Sequence, residues 1–156
     1  IAKEVGVGAV VFGALSVNRI KDVTFSWAEA LNFDGETGPY IQYTHARACS
    51  IIRKAGFKLD LAFDPHQLCN KEAVRLIKTL YLFPEKIIAA MKEYEPSIIS
   101  RYLIVLAQQF NAFYHECQVL VDDEALQKAR LVLVYAVKTI LATGLRLLGI
   151  KAPERM

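Results

Sequence analysis

The sequence predicts a mostly α-helical bundle with a small strand-bearing appendage at its N-terminus. Two patterns and a contrast carry that prediction. From Pro39 onward, apolar residues recur at helical spacing, and prolines or acidic caps restart the pattern at Pro65, Pro84, Pro96 and Asp122–Glu124. The run Ile99, Leu103, Leu106, Phe110, Phe113, Cys117, Leu120 steps by 4, 3, 4, 3, 4 and 3, an apolar seam of the kind that joins helices. Before Pro39, breakers and a short alternating stretch interrupt any such rhythm. A chain of 156 residues is one domain's worth, and 54% hydrophobic against 22% charged residues excludes a disordered segment.

Residues 1–17 carry glycines at 6, 8 and 13 among Val, Ala and Phe, which reads as a helix that another element approaches closely. Free-standing, it would lose about 1 kcal/mol per glycine, so part of its natural partner is expected to lie outside this chain. Arg19–Trp27 alternates through Ile20, Val23, Phe25 and Trp27 and predicts one short strand. Leu31–Pro39, with Asp34, Gly35 and Gly38, is a loop. Pro39 fits the first turn of a helix that Gly56 closes. Asp64-Pro65 starts another, running to about Tyr81, and Pro84 a short one to about Tyr94. Pro96 opens the helix of the seam. Asp122-Asp123-Glu124 puts acidic residues at the start of a last helix, Ala125 to about Leu148, ended by Gly149.

Several function classes drop out. The uncharged stretch Val5–Val17 is 13 residues long, short of the roughly 18–20 of a membrane span, so no membrane role is expected. Cysteines 49, 69 and 117 are odd in number and far apart, which points to thiols of a reducing, cytoplasmic compartment. Gly6-Val-Gly8 lacks the strand and third glycine of a phosphate loop, and no nucleophile or metalloprotease motif occurs. His115 and Cys117 lie two apart on a helix and face different ways, so no metal site is expected there. Cofactors and catalytic residues are expected to be absent from these residues.

Charge distribution is more informative than the net +3. Between Ala46 and Lys78, seven basic residues (Arg47, Arg53, Lys54, Lys58, Lys71, Arg75, Lys78) oppose three acids (Asp60, Asp64, Glu72), leaving +4. On the helix from Pro39, at about 100° per residue, Tyr43 falls about −60°, Arg47 about −20°, Lys54 about −40° and Lys58 about 0° from Tyr40. Two tyrosines and three cations share one stripe. Ala48, Ile52 and Ala55 lie on the side facing the bundle. By spacing alone the stripe is either a pair of half-buried anchors with a solvated cationic face, or a platform for unpaired bases and phosphates. Both readings stand at this point.

Longer runs carry a resemblance. Val5-Gly-Val-Gly-Ala-Val-Val-Phe-Gly-Ala-Leu-Ser-Val-Asn-Arg-Ile-Lys-Asp-Val-Thr-Phe-Ser-Trp and Phe33-Asp-Gly-Glu-Thr-Gly-Pro-Tyr-Ile-Gln-Tyr-Thr-His-Ala-Arg-Ala-Cys-Ser-Ile resemble the arginyl-tRNA synthetase family just past its catalytic core. So do Leu82-Phe-Pro-Glu, Phe110-Asn-Ala-Phe-Tyr-His and the ending Gly144-Leu-Arg-Leu-Leu-Gly-Ile-Lys-Ala-Pro-Glu-Arg-Met. The resemblance covers practically the whole chain. It implies a C-terminal piece of a class I synthetase: residues 1–38 a connector from the catalytic core, and 39–156 a helical anticodon-binding domain of the DALR type. The implied partners are an arginine-specific tRNA, through its anticodon loop, and the upstream catalytic domain. ATP and arginine would bind in that upstream domain, so the chain alone is expected to form no adenylate. The family's anticodon contacts map onto Tyr40, Tyr43, Arg47, Tyr114 and Met156, three of which lie on the stripe already drawn; Lys54 and Lys58 extend it. Pro153 is expected to stiffen the tail and set Met156 beside Tyr40 and Tyr114. The motif that gives the DALR type its name is degenerate here, Asp123-Glu-Ala-Leu-Gln-Lys-Ala-Arg, and no function is placed on it. The competing class is a helical protein-interaction module using the seam Ile99–Leu120 and the 1–38 connector.

Overall fold

A computed structural model describes residues 1–22, 24 and 26–156. Its helices are α1 (Ala2–Ser16), α2 (Trp27–Ala30), α3 (Gly38–Lys54), α4 (Lys71–Tyr81), α5 (Phe83–Glu93), α6 (Ser97–Glu116) and α7 (Glu124–Leu147), with a 3₁₀ turn at Pro65–Leu68. No helix among the described residues is long and apolar enough to cross a membrane.

The seam on α6 is the centre of the bundle. Ile99, Leu103, Leu106, Phe110, Phe113 and Cys117 are all buried, and α6 packs against α1, α3, α4, α5 and α7. Burying each large side chain contributes about 1.5–3 kcal/mol before entropy is counted; with Tyr102, Ile104 and Ala107 buried beside the seam, α6 holds its five neighbours on more than one side. The seventh seam residue departs from expectation. Cys117 already has extended backbone, so Leu120 lies beyond the helix and is exposed.

Two other expectations are corrected. The helix read from Pro65 to Tyr81 is two elements: Asp64 caps the 3₁₀ turn, the chain breaks at Cys69, and Asn70 caps α4 by accepting from the Ala73 amide at 3.2 Å. A second cap inside the run ended one element and began another. The stretch Arg19–Trp27 holds no strand among the described residues, and Trp27 starts α2; Val23 and Phe25, two of its four alternating positions, lie outside the described residues. Arg19 instead caps α5, its guanidinium donating to the carbonyls of Glu93 at 2.6 Å and Tyr94 at 2.7 Å. The degenerate DALR segment also has a local role: the Asp123 carboxylate caps α7 by accepting from the Leu126 amide at 3.0 Å.

Two close approaches set the spacing of the helices. A Cβ on Gly38 would lie 2.6 Å from the Gly8 carbonyl oxygen and 2.9 Å from the Phe12 Cβ, so α1 and the start of α3 meet backbone to backbone. A Cβ on Gly144 would lie 2.5 Å from a Leu103 methyl, so on this side α7 makes room for a side chain of α6 rather than for its backbone. Phe12 is fully buried beneath the first contact. The close-packed helix read from residues 1–17 is therefore present, but only on the Gly8 side. Gly6 and Gly13 have nothing within 4 Å of an added Cβ.

That asymmetry is testable by denaturant unfolding. Gly38→Ala is expected to cost about 1–3 kcal/mol, because backbone rather than a flexible side chain must move. Gly13→Ala is expected to gain up to about 1 kcal/mol from helix propensity. A Gly38→Ala variant as stable as the parent would contradict the contact.

Candidate nucleic-acid interface

Local sequence aims the site. The Thr37 hydroxyl accepts from the Tyr40 amide at 3.2 Å, Pro39 occupies the first turn, and α3 then runs without interruption to Lys54. Tyr40, Tyr43, Arg47 and Lys54 therefore share a face, as the angular reading placed them. Lys58 does not. Gly56, at φ 58°, ends the helix in a left-handed turn, and Lys58 lies in the following coil away from the groove. The stripe was extended past a helix stop that the glycine itself announces.

Facing α3, the last turns of α6 supply Asn111 and Tyr114, three residues apart and so on one side of the helix. Between the two helices lies an open groove of about 880 Å³, whose walls include Tyr40, Tyr43, Arg47, Lys54, Asn111 and Tyr114. The Arg47 guanidinium carbon sits 4.9 Å from the Tyr43 ring centre and 5.5 Å from that of Tyr114. The cation is held between two aromatic faces, each contact worth about 0.5–1 kcal/mol at an exposed site. Asn111 ties the assembly together. Its carbonyl oxygen accepts from Arg47 at 2.7 Å, while its amide donates to the Tyr40 hydroxyl at 2.9 Å. Tyr40 is half-buried against the core, whereas Tyr43 and Tyr114 keep 41% of their surfaces in solvent. Tyr40 is an anchor, whereas Tyr43 and Tyr114 are partly exposed rings with neighbours of their own: Phe33 meets Tyr43 edge-on at 6.5 Å and Phe110 stacks on Tyr114 at 6.3 Å between ring centres.

The rest of the basic stretch goes elsewhere. Lys71, Arg75 and Lys78 are exposed on α4 and do not line the groove. Arg53 and Arg155 instead border a second cleft with Tyr43, Arg47 and Met156. Met156 thus lies on the Tyr43–Arg47 side. The expected place was beside Tyr40 and Tyr114; the cleft that Met156 lines holds Tyr43 and Arg47. The reason is the tail's path. Gly149, at φ 73°, closes α7 with the Ile150 amide donating to Leu145 at 2.9 Å and its own amide to Arg146 at 3.0 Å. The chain then turns back across the buried side of α3, where Gln42 donates to the Lys151 carbonyl at 2.8 Å and the His45 ring bonds the Pro153 carbonyl at 3.0 Å. Pro153 is itself buried.

Asn111, Gln42 and His45 are the site residues that sequence reasoning missed. Each left a signal: Asn111 is polar between Phe110 and Phe113 of an apolar seam, and Gln42 and His45 interrupt an otherwise apolar face of α3. His45 carries a charge consequence too. Burial holds its imidazole below the ordinary histidine range, Lys138 adds to the lowering, and the Pro153 carbonyl and Glu154 oppose it. Burial likewise raises the neighbouring Cys49 thiol.

Comparison with known proteins bears on the chain as a whole. Residues 41–156 match the DALR anticodon binding domain. The chain belongs to that family. Over all 156 residues it is 52% identical to an arginine–tRNA ligase of Alkaliphilus metalliredigens and 49% identical to one of Clostridioides difficile. The chain spans about 28% of the length of those relatives. Among solved structures, Thermus thermophilus arginyl-tRNA synthetase aligns with a TM-score of 0.93 at 41% identity, over 99% of this chain and 27% of that one. Arginyl-tRNA synthetase from Plasmodium falciparum gives 0.87 at 29%, over 99% of this chain and 28% of that one. Both alignments reach back through α1, so the part of this DALR chain before the matched domain shares the architecture of those enzymes.

A pH dependence follows from His45. Its folded pKa is lowered, so the unfolded chain takes up the proton first as pH falls below about 6.5. The stabilisation from a neutral, buried ring is complete above that pH and is lost on acidification. Denaturant unfolding at about pH 7.5 and about pH 5 is expected to show the parent losing stability relative to His45→Asn. An unchanged difference would contradict the buried neutral ring.

Proposed function

We propose that this chain is the anticodon-binding region of an arginine–tRNA ligase, with residues 39–156 as the RNA-binding domain and 1–38 as a connector to a catalytic domain. In that arrangement ATP and arginine are handled by the catalytic domain in the cytoplasm, and this chain selects and positions the tRNA. The observation that carries the reading is the Tyr43–Arg47–Tyr114 cluster in a groove of a DALR domain where Arg47 and Lys54 face one acid, Asp34. An anticodon loop presents unpaired bases, whose faces stack on tyrosine for about 1–3 kcal/mol each. Arg47, oriented by Asn111, offers planar donors to base edges or phosphate. Lys54 in the groove and Arg53 in the adjoining cleft offer cations to phosphates.

The reading as a protein-interaction module loses its main support, because the seam on α6 is consumed by the bundle core. Titration with an arginine-tRNA anticodon stem-loop tests the RNA reading. Arg47→Ala is expected to weaken binding per folded molecule by about 1–3 kcal/mol, with a drop of only a few degrees in thermal midpoint from the lost ring and Asn111 contacts, and affinity is expected to fall steeply as salt rises. Lys71→Ala, on α4 and away from the groove, is expected to have little effect. Equal losses for both variants, or binding indifferent to salt, would overturn the reading.

A further inference from the structure

The polar residues buried on the far side of α3 have no part in stacking or in phosphate contact, yet both reach the C-terminal tail. Gln42 is fully buried, and its side-chain amide nitrogen donates both to the Lys151 carbonyl at 2.8 Å and to the Glu4 carbonyl at 3.2 Å. Both partners are carbonyls, so the orientation of the amide is fixed, and its own oxygen is left buried without a partner. His45 is 2% exposed and one turn further along. Because the Pro153 oxygen can only accept, Nδ1 must carry the proton, and Nε2 is left facing the Cys49 sulfur at 3.6 Å.

A buried donor without a partner costs about 1–3 kcal/mol. Gln42 and His45 therefore favour one tail position strongly over a frayed end, the usual state of so short and polar a terminus. Only three residues follow Pro153, a reach of about 10 Å. From that anchor Met156 comes to the cleft it shares with Tyr43, Arg47 and Arg53. Glu154, Arg155 and Met156 are exposed, so the docked end adds little to the core beyond Pro153.

We propose that Gln42 and His45 are positioning residues of the RNA site: they latch the tail to α3 through the Lys151 and Pro153 carbonyls and thereby place the Met156 thioether at the edge of the Tyr43–Arg47 stack. The proposal rests on the anticodon reading of the groove. It assigns to a single helix both the stacking surface and the clamp that completes it. A polarizable thioether beside a ring can pack on a base edge that tyrosine alone leaves uncovered.

A double-mutant cycle tests it, read by stem-loop affinity and by the Met156 methyl carbon–proton resonance. Deleting Arg155–Met156 and replacing His45→Phe are each expected to lower affinity about tenfold, and together no more than either alone. His45→Asn, which restores a short N–H donor, is expected to recover most of the loss. In His45→Phe the Met156 methyl is expected to move to a free-chain position while the α6 and α7 amides stay unchanged. Gln42→Met provides a second variant with the same expected result should His45→Phe unfold. Additive losses, no recovery by asparagine, or an unmoved Met156 methyl would overturn the latch. If the parent binds no stem-loop the anticodon reading fails, and the methyl resonance alone still decides whether His45 holds the tail.

Discussion

The backbone contact between Gly8 and Gly38 sets the depth at which α3 begins, and every functional side chain of the site depends on that seat. With a Cβ at position 38 the first turn would be pushed from α1. Tyr40 and Thr44, which meet Asn111 of α6 at 2.9 and 3.4 Å, would then lose their register. Contacts of this length tolerate errors of a few tenths of an ångström, so the glycine pair governs a polar network far larger than itself.

Seated in this way, α3 presents three chemically different faces. Ile41, Ala48 and Ile51 enter the core. Tyr43, Arg47 and Lys54 open to the groove, and Gln42 and His45 turn to the tail. The apolar face supplies the free energy: a few fully buried side chains at about 1.5–3 kcal/mol each outweigh the buried amide oxygen of Gln42 that is left unpaired. The aromatic face contributes little to folding, since its two outer rings stay 41% exposed. Under the proposed function, the exposed parts of these rings, braced by a central arginine, are what a planar partner would meet. The bracing from Asn111 lowers the entropy that binding would otherwise have to remove.

Helix existence was legible in the sequence because prolines and caps mark it, and the seam from Ile99 to Cys117 identified the central helix correctly. Boundaries were less so. Asn70 hid a second cap within one apparent helix, and Cys117 left the helix before Leu120 could join the seam. In the site, the angular stripe located Tyr43, Arg47 and Lys54 because they share one helix, where spacing is geometry. It failed at Lys58, beyond the Gly56 stop. It was silent on Asn111, Gln42 and His45, whose partners are 38 to 109 residues away along the chain. Contacts of that kind are products of the tertiary fold, and no periodicity encodes them.

The most direct test of the groove is where an RNA loop touches it. Amide and ring resonances of the chain, followed during titration with an arginine-tRNA anticodon stem-loop, should move at Tyr43, Arg47, Asn111, Tyr114 and Met156. Magnetisation transfer should connect the Tyr43 and Tyr114 rings to loop base protons. Shifts confined to the exposed basic face of α4, around Lys71, Arg75 and Lys78, with the tyrosine rings unmoved, would contradict the groove as the RNA site.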